Sequence, residues 1–288
     1  MTPTLTGHRL PPANPAPRTD RCARARDWAE IQERMLVPLY EAVYERLDVG
    51  SGTRLLGLGC GTGLALFLAA SRGAAVTGVD CGVPERLALA RERLLPGAPA
   101  RRPRARGDAR IVHGCPGDAA PAAGEPAYTL LTSFEPIGCA VGDGEGLRDR
   151  LAEATPLAER GAHVVLAAWG PPERCSTSSV LRAVTRLADP EHGSGGWRPA
   201  RRDDLEEAAQ HSGLRPDGSG RVACPFGYAD LDSAVRGMLS TRLLDAAIAA
   251  TDPDQVGKEL AEALHPHRRA DGTVWMPNVF RYLIARVP

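Results

Sequence analysis

The sequence carries no net charge, no long apolar run and no metal-binding pattern, and each absence excludes a class of function. Its 35 basic and 35 acidic residues balance, so no global field would recruit nucleic acid or an acidic membrane. No apolar stretch approaches the roughly 18 residues of a membrane-spanning helix, and the first residues lack the apolar core of a secretory signal. The arginine-rich stretch 96–110 has no interleaved aromatic residues, which favours a solvated loop over a nucleic-acid patch.

The seven cysteines are scattered and never form a Cys-x-x-Cys pair. This spacing argues against a disulfide framework and a structural zinc site, and it predicts a reducing, cytoplasmic compartment. The sequence also lacks a Gly-x-Ser-x-Gly nucleophile turn, a Walker loop and a His-Glu-x-x-His helix. Lys258 is the only lysine, whereas arginine, alanine, glycine and proline are abundant. That bias is typical of coding from a GC-rich bacterial genome.

The order of elements predicts an α/β domain. The five prolines among residues 1–20 predict a disordered tail. Residues 21–288 are predicted to form one domain. Helical character between residues 25 and 48 is interrupted at Pro38, which predicts short helices that cover a site. Strands are expected near 53–58, 75–80, 110–113, 128–133, 163–169, 221–226 and 274–286, with helices between most of them. This alternation predicts a doubly wound, mostly parallel sheet with ligands at the carboxyl ends of its strands.

Helical insertions are also expected beyond Trp169. Helices are predicted at 178–188, 203–211, 230–250 and 253–264. The stretch 228–270 is predicted to be an insertion that lies above the ligand crevice as a lid and selects the substrate.

A glycine-rich turn after the first strand is the most specific motif. Leu55-Leu56-Gly57-Leu58 leads into Gly59-Cys60-Gly61-Thr62-Gly63, and Asp80 ends the next predicted strand. Glycine permits close backbone approach to a ligand, and the following helix directs its free N–H groups toward the same crevice. An acid about 20 residues beyond the first glycine can accept hydrogen bonds from both ribose hydroxyls of an adenosine cofactor. Leu64 stands where a dinucleotide-binding loop would need a small residue, which disfavours a dinucleotide.

The Gly-x-Gly-x-Gly spacing resembles the first motif of the class I S-adenosylmethionine-dependent methyltransferases. The stretch Val164–Gly170 and the final aromatic-rich strand 274–286 resemble small-molecule methyltransferases of the ubiquinone/menaquinone type. The resemblance covers roughly residues 25–288. It implies a Rossmann-like seven-stranded sheet and S-adenosylmethionine as the cofactor. The implied cofactor-binding residues are Gly59, Cys60, Gly61, Thr62, Gly63, Asp80, Cys81, Cys115, Pro116 and Ser133.

Three positions depart from the family pattern. The family has an acid where this chain has Gly57, an Asp near Cys115, and Phe-Asp where this chain has Tyr128-Thr129. Asp118 is a candidate substitute for the second of these acids. Each missing acid removes a charge-assisted hydrogen bond of about 1.5–3 kcal/mol, so losing two could weaken cofactor binding roughly a hundredfold.

Candidate catalytic and substrate residues follow from this frame. Glu135, which follows the fourth predicted strand, and the pair His265 and His267 are candidate bases, although surface or capping roles are the alternative for the histidines. The two histidines have no evident third partner for a metal ion. Cys60, Cys81 and Cys115 are interpreted as packing residues, with a reactive thiol as the alternative. The candidate substrate contacts are Trp28, Tyr40, Phe134 and Trp169.

Three functions remain open from the sequence. The first is methyl transfer to a small molecule, with secondary metabolism as the expected setting. The second is an enzyme of this fold that no longer methylates and instead catalyses a cyclisation or isomerisation, which the missing acids favour. The third is a non-catalytic partner of a biosynthetic enzyme. The sequence identifies neither the acceptor atom nor the oligomeric state.

Overall fold

The computed structural model describes residues 21–95, 109–188 and 196–288. Seven strands form the central sheet in the order β3-β2-β1-β4-β5-β9-β6. They are β1 (Arg54–Leu58), β2 (Ala75–Asp80), β3 (Ala109–His113), β4 (Tyr128–Ile137), β5 (Ala158–Trp169), β6 (Arg215–Ala223) and β9 (Val279–Arg286). Strands β1 to β5 pair in parallel, whereas β9 runs antiparallel to both β5 and β6. The predicted seven-stranded, mostly parallel sheet is confirmed.

Side chains on both faces of the sheet are buried, as a doubly wound sheet requires. Leu55 and Leu56 are adjacent in β1 and both fully buried, yet they belong to separate apolar clusters on opposite faces. Near-continuous apolar runs such as Val164–Ala168 follow from this two-sided burial.

Ten α-helices surround the sheet within the described ranges. They are α1 (Arg21–Asp27), α2 (Val37–Arg46), α3 (Leu64–Ser71), α4 (Pro84–Leu94), α5 (Asp143–Ala154), α6 (Thr177–Val184), α7 (Asp204–His211), α8 (Leu231–Leu239), α9 (Asp245–Ala250) and α10 (Pro253–Leu264). Helices α5 and α7 bury Leu147, Leu151 and Leu205 in one cluster, whereas α2, α3, α6, α8 and α10 contribute to the other. None of these helices combines the length and apolar character that crossing a membrane requires.

The segment before β1 is helical but irregular. A π-helical turn at Trp28–Gln32 and a 3-10 turn at Glu33–Leu36 separate α1 from α2. Pro38 lies in the first turn of α2, where its missing N–H costs nothing, so the regular helix begins there. We call residues 21–46 the cover segment.

The final strand region differs from its prediction. A two-stranded sheet of β7 (Phe226–Tyr228) and β8 (Val274–Met276) brackets α8, α9 and α10, and Pro277 and Asn278 separate β8 from β9. Strand β6 begins at Arg215, six residues before the predicted 221. Pro216 and Gly218 weaken the strand signal there, but an edge strand tolerates both residues.

Some predictions lie outside the described residues. These are the tail 1–20 and most of the arginine-rich stretch 96–110. The division into cover helices 25–48 and an insertion 228–270 stays a prediction, although the structure places α8, α9 and α10 within that second range.

Candidate functional site

The glycine loop joins β1 to α3 and has a left-handed glycine at every second position. Gly59, Gly61 and Gly63 have φ values of 63°, 55° and 77°, which side chains other than glycine rarely adopt. Gly59 N donates to Val79 O (2.9 Å), and Gly63 N donates to Cys60 O (2.9 Å). The loop is therefore a compact turn whose backbone faces the carboxyl end of the sheet.

Asp80 ties this loop to the end of β2. Its Oδ2 accepts a hydrogen bond from Gly61 N (2.9 Å), and its Oδ1 accepts one from Gly82 N (2.6 Å). A carboxylate has about four acceptor positions, so Asp80 keeps capacity for a ligand. It also lines the crevice described next.

A crevice of about 1100 Å³, including the open space at its mouth, lies above the glycine loop. One wall comes from the loop and Asp80, and the opposite wall comes from the cover segment and the turn after α8. The residues of that opposite wall are Trp28, Gln32, Glu33, Leu36, Tyr40, Met238, Thr241, Arg242 and Leu243.

Aromatic rings line the end of the crevice under β5 and β9. The ring of Phe280 lies 4.7 Å from that of Trp169 and 6.1 Å from that of Phe226. Tyr40 lies 4.8 Å from Phe134. Burial, reinforced by Glu33, holds the pKa of Tyr40 well above its usual range, so its hydroxyl stays protonated. This end is suited to an apolar molecule.

The cover segment contributes a buried acid and an indole nitrogen beside the loop. Glu33 accepts hydrogen bonds from Thr62 Oγ1 and from Arg93 Nη1 (3.0 Å). Arg93 Nη1 also donates to Thr62 O (2.8 Å), so these residues lock the cover segment onto the loop. The Arg86 guanidinium lies 4.4 Å from the ring centroid of Trp28.

Glu135 stands where the crevice opens into a second pocket. Its Oε2 accepts a hydrogen bond from Arg150 (3.1 Å), and its Oε1 lies 4.0 Å from Arg242. Glu135 and Arg242 line both pockets. Arg150 therefore holds the Glu135 side chain by an ion pair at the border between the two pockets.

The structure gives a physical account of two of the departures from the family pattern. A Cβ at Gly57 would lie 2.8 Å from Leu66 Cδ2, so Leu66 occupies the space that a longer residue would need. Asp118 Oδ2 accepts a hydrogen bond from Cys115 N (2.8 Å). The Asp118 carboxylate therefore binds the backbone of its own loop, which follows β3.

The sequence-predicted residues divide into two groups. Nine of them line the crevice: Gly59, Cys60, Gly61, Asp80, Glu135, Trp28, Tyr40, Phe134 and Trp169. The others do not line it: Thr62, Gly63, Cys81, Cys115, Pro116, Ser133, His265 and His267. Thr62 is buried against Glu33 and Gly63 begins α3, so both shape the loop. The catalytic, cofactor-binding and substrate roles assigned to the residues of both groups stay predictions.

Several lining residues were not found from the sequence. They are Gln32, Glu33, Arg86, Thr177, Phe226, Arg242 and Phe280. The sequence does not distinguish Glu33 from Glu30 and Glu41, which carry the same charge nearby. Only the irregular turns at 28–36 direct the Glu33 side chain inward. The sequence Val279-Phe280 at the start of the last strand was a usable signal for Phe280, since ligands bind at this edge of the sheet.

Cys60 is predicted to be unreactive despite lining the crevice. Burial, reinforced by Asp80, raises the pKa of its thiol to about 12. The thiolate is the nucleophile, and at pH 8 its fraction would be about 10⁻⁴. Iodoacetamide at pH 8 should therefore modify exposed Cys81 well before Cys60, as read by peptide mass spectrometry. Equal rates at the two positions would contradict this assignment.

Comparison with known proteins identifies the fold. No family model matches the sequence, and no curated protein sequence is similar to it. Solved structures do match. A predicted methyltransferase from Bacillus halodurans is 12% identical (86% of this chain, 98% of that chain, TM-score 0.52). YjhP from Escherichia coli is 18% identical (92% and 99%, TM-score 0.52), and the cyclopropane synthase MmaA2 from Mycobacterium tuberculosis is 13% identical (93% and 95%, TM-score 0.52).

At these identities the likeness defines the fold and leaves the substrate open. The strand order with one antiparallel strand beside the edge, and the glycine loop after β1, agree with it. The chain thus has the Rossmann-like fold of the class I S-adenosylmethionine-dependent methyltransferases.

Proposed function

We propose that this protein transfers a methyl group from S-adenosylmethionine to a small, largely apolar acceptor. The observation that carries the proposal is the left-handed glycine loop with Asp80 beside it, at the base of an open crevice. The crevice fits the cofactor chemically. A side chain at Gly59 or Gly61 would project toward lining residues, with a Cβ at Gly59 lying 3.5 Å from Glu135 Oε2.

Asp80 and the glycine loop have separate roles in binding the cofactor. Asp80 would accept hydrogen bonds from the ribose hydroxyls, as the acid at the end of the second strand does in adenosine-binding sheets. Gly59 and Gly61 would let the backbone approach the ligand. When bound, the cofactor supplies an electrophilic methyl group on a positively charged sulfur.

The acceptor would lie against the aromatic end. Trp169, Phe280 and Tyr40 exclude water and hold an apolar molecule in one orientation. Much of the catalysis of an in-line transfer comes from such positioning. Glu135 is the only predicted base that lines the crevice, and a hydrogen bond from Arg150 holds its side chain there.

The proposal is tested with S-adenosylmethionine carrying a deuterated methyl group. The protein is incubated with a panel of apolar ring compounds bearing hydroxyl, amine or acidic carbon positions, and products are read by mass spectrometry. We expect at least one product heavier by one labelled methyl group. Asp80→Ala should abolish that signal at limiting cofactor, and absence of any labelled product with every acceptor would count against methyl transfer.

The second candidate is a cyclisation or isomerisation in the same crevice. It is favoured by the apolar aromatic end and by Gly57, which stands where the family has an acid and whose adjoining space Leu66 fills. Confining a reactive chain requires shape and exclusion of water rather than an aligned methyl donor. The same assay separates the two candidates, because a cyclised or isomerised product has an unchanged mass and a new retention time.

A further inference from the structure

Glu33 is a buried acid with one unused oxygen that faces the glycine loop. Its side chain is 4% exposed, and the hydrogen bonds from Thr62 and Arg93 both reach Oε2. Within the described part of the chain no donor reaches Oε1, which would lie 3.8 Å from a Cβ built at Gly61. Glu33 lines the crevice, so this free acceptor oxygen lies where a bound ligand can bring a hydrogen-bond donor to it.

Trp28 presents the complementary group to the same glycine. Its Nε1 is buried and has no hydrogen-bond partner among the described residues, and it would lie 3.7 Å from the same Cβ built at Gly61. An indole nitrogen can only donate a hydrogen bond. Arg86, which stacks on the indole ring, holds the ring in this orientation.

We propose that Glu33 Oε1 and Trp28 Nε1 clamp the α-amino acid end of the cofactor. Glu33 accepts hydrogen bonds from the α-ammonium group, and Trp28 donates one to the α-carboxylate. The proposal rests on the proposed function, since that end belongs to S-adenosylmethionine. The proposal also gives a replacement for the acid that the family has at position 57. Leu66 fills the space beside Gly57, and Glu33 of the cover segment supplies the negative charge instead.

Placing the acid on the cover segment couples cofactor binding to the order of that segment. An acid on β1 would be fixed by the sheet, whereas Glu33 and Trp28 belong to the irregular turns before α2. Ligands with the amino acid end should therefore protect the backbone amides of 28–36 from hydrogen exchange. Ligands without it should not.

Two ligands distinguish the contribution of Glu33 and Trp28 to binding from that of the rest of the site. S-adenosylhomocysteine carries the amino acid end, and 5′-methylthioadenosine has the same adenosyl thioether without it. Glu33→Gln should weaken calorimetric binding of S-adenosylhomocysteine at least about tenfold, the effect of losing one charge-assisted hydrogen bond. It should leave binding of 5′-methylthioadenosine within about twofold. Trp28→Phe, which keeps the ring under Arg86, should have the same selectivity with a smaller loss.

Arg93→Gln is the matched control for a purely structural role of Glu33. It breaks the internal ion pair at Oε2 and leaves Oε1 in place, so any loss should be equal for the two ligands. Equal losses from Glu33→Gln, or none, would overturn the clamp and leave the proposed function standing. Failure of the unaltered protein to bind either ligand would overturn both.

Discussion

Asp80→Ala is expected to weaken binding of S-adenosylmethionine at least tenfold. The change removes charge-assisted hydrogen bonds to the ribose, each contributing about 1.5–3 kcal/mol. It also releases the Gly61 and Gly82 amides that the carboxylate holds, so the loop loses part of its preorganised shape. Calorimetric titration of the variant and the unaltered protein measures the ratio of dissociation constants.

Asp252→Ala is a matched control for this variant. Asp252 is also an aspartate that accepts a backbone hydrogen bond, from Gln255 N at the start of α10 (2.8 Å), but it is exposed and does not line the crevice. Its removal should cost about 1 kcal/mol of stability and leave cofactor affinity unchanged. Equal affinity of folded Asp80→Ala and unaltered protein would refute the ribose assignment.

Phe280→Ala is expected to lower the free energy of unfolding by about 3–5 kcal/mol. Phe280 is fully buried and packs against Trp169 and Phe226 between the sheet and the inserted elements. Alanine would leave a cavity that the backbone of β9, fixed between β5 and β6, cannot collapse to fill. Chemical denaturation measures the difference.

Phe280→Leu distinguishes packing from a general effect of substitution at this position. Leucine keeps most of the buried apolar volume and should cost much less than alanine. Because β4 and β5 separate β9 from β1 and its glycine loop, both variants should keep their affinity for S-adenosylhomocysteine. A loss below about 1 kcal/mol for Phe280→Ala would show that the aromatic end is loosely packed.

The sheet was accessible to sequence reasoning because its signals are local. Apolar runs bounded by glycines and by Asp80 mark β1 and β2 within one residue of their observed ends. The edge strand β6 was predicted too short, because proline and glycine lower strand propensity and an exposed edge has no apolar run. The separation of β8 from β9 at Pro277 depends on pairing with β7, which is a tertiary contact.

The candidate site was predictable in part because some of its residues also give local signals in the sequence. The glycine loop, Asp80 and the aromatic residues Trp28, Tyr40 and Trp169 carry chemical types that stand out in the sequence. Glu33 and Arg242 do not, since acids and arginines are common throughout the chain. The position of Glu33 depends on the π-helical and 3-10 turns at 28–36, and that of Arg242 depends on the turn after α8. None of these turns has a recognisable residue pattern.

Calorimetric titration of ligand-stripped protein with S-adenosylmethionine tests whether the crevice above the glycine loop binds this cofactor. A single site with a dissociation constant in the micromolar range, a binding free energy of about −8 kcal/mol, is the predicted result. Absence of binding up to millimolar cofactor would contradict it. The crevice above Gly59–Gly63 would then hold a different ligand, and the chemistry assigned to it would have to change.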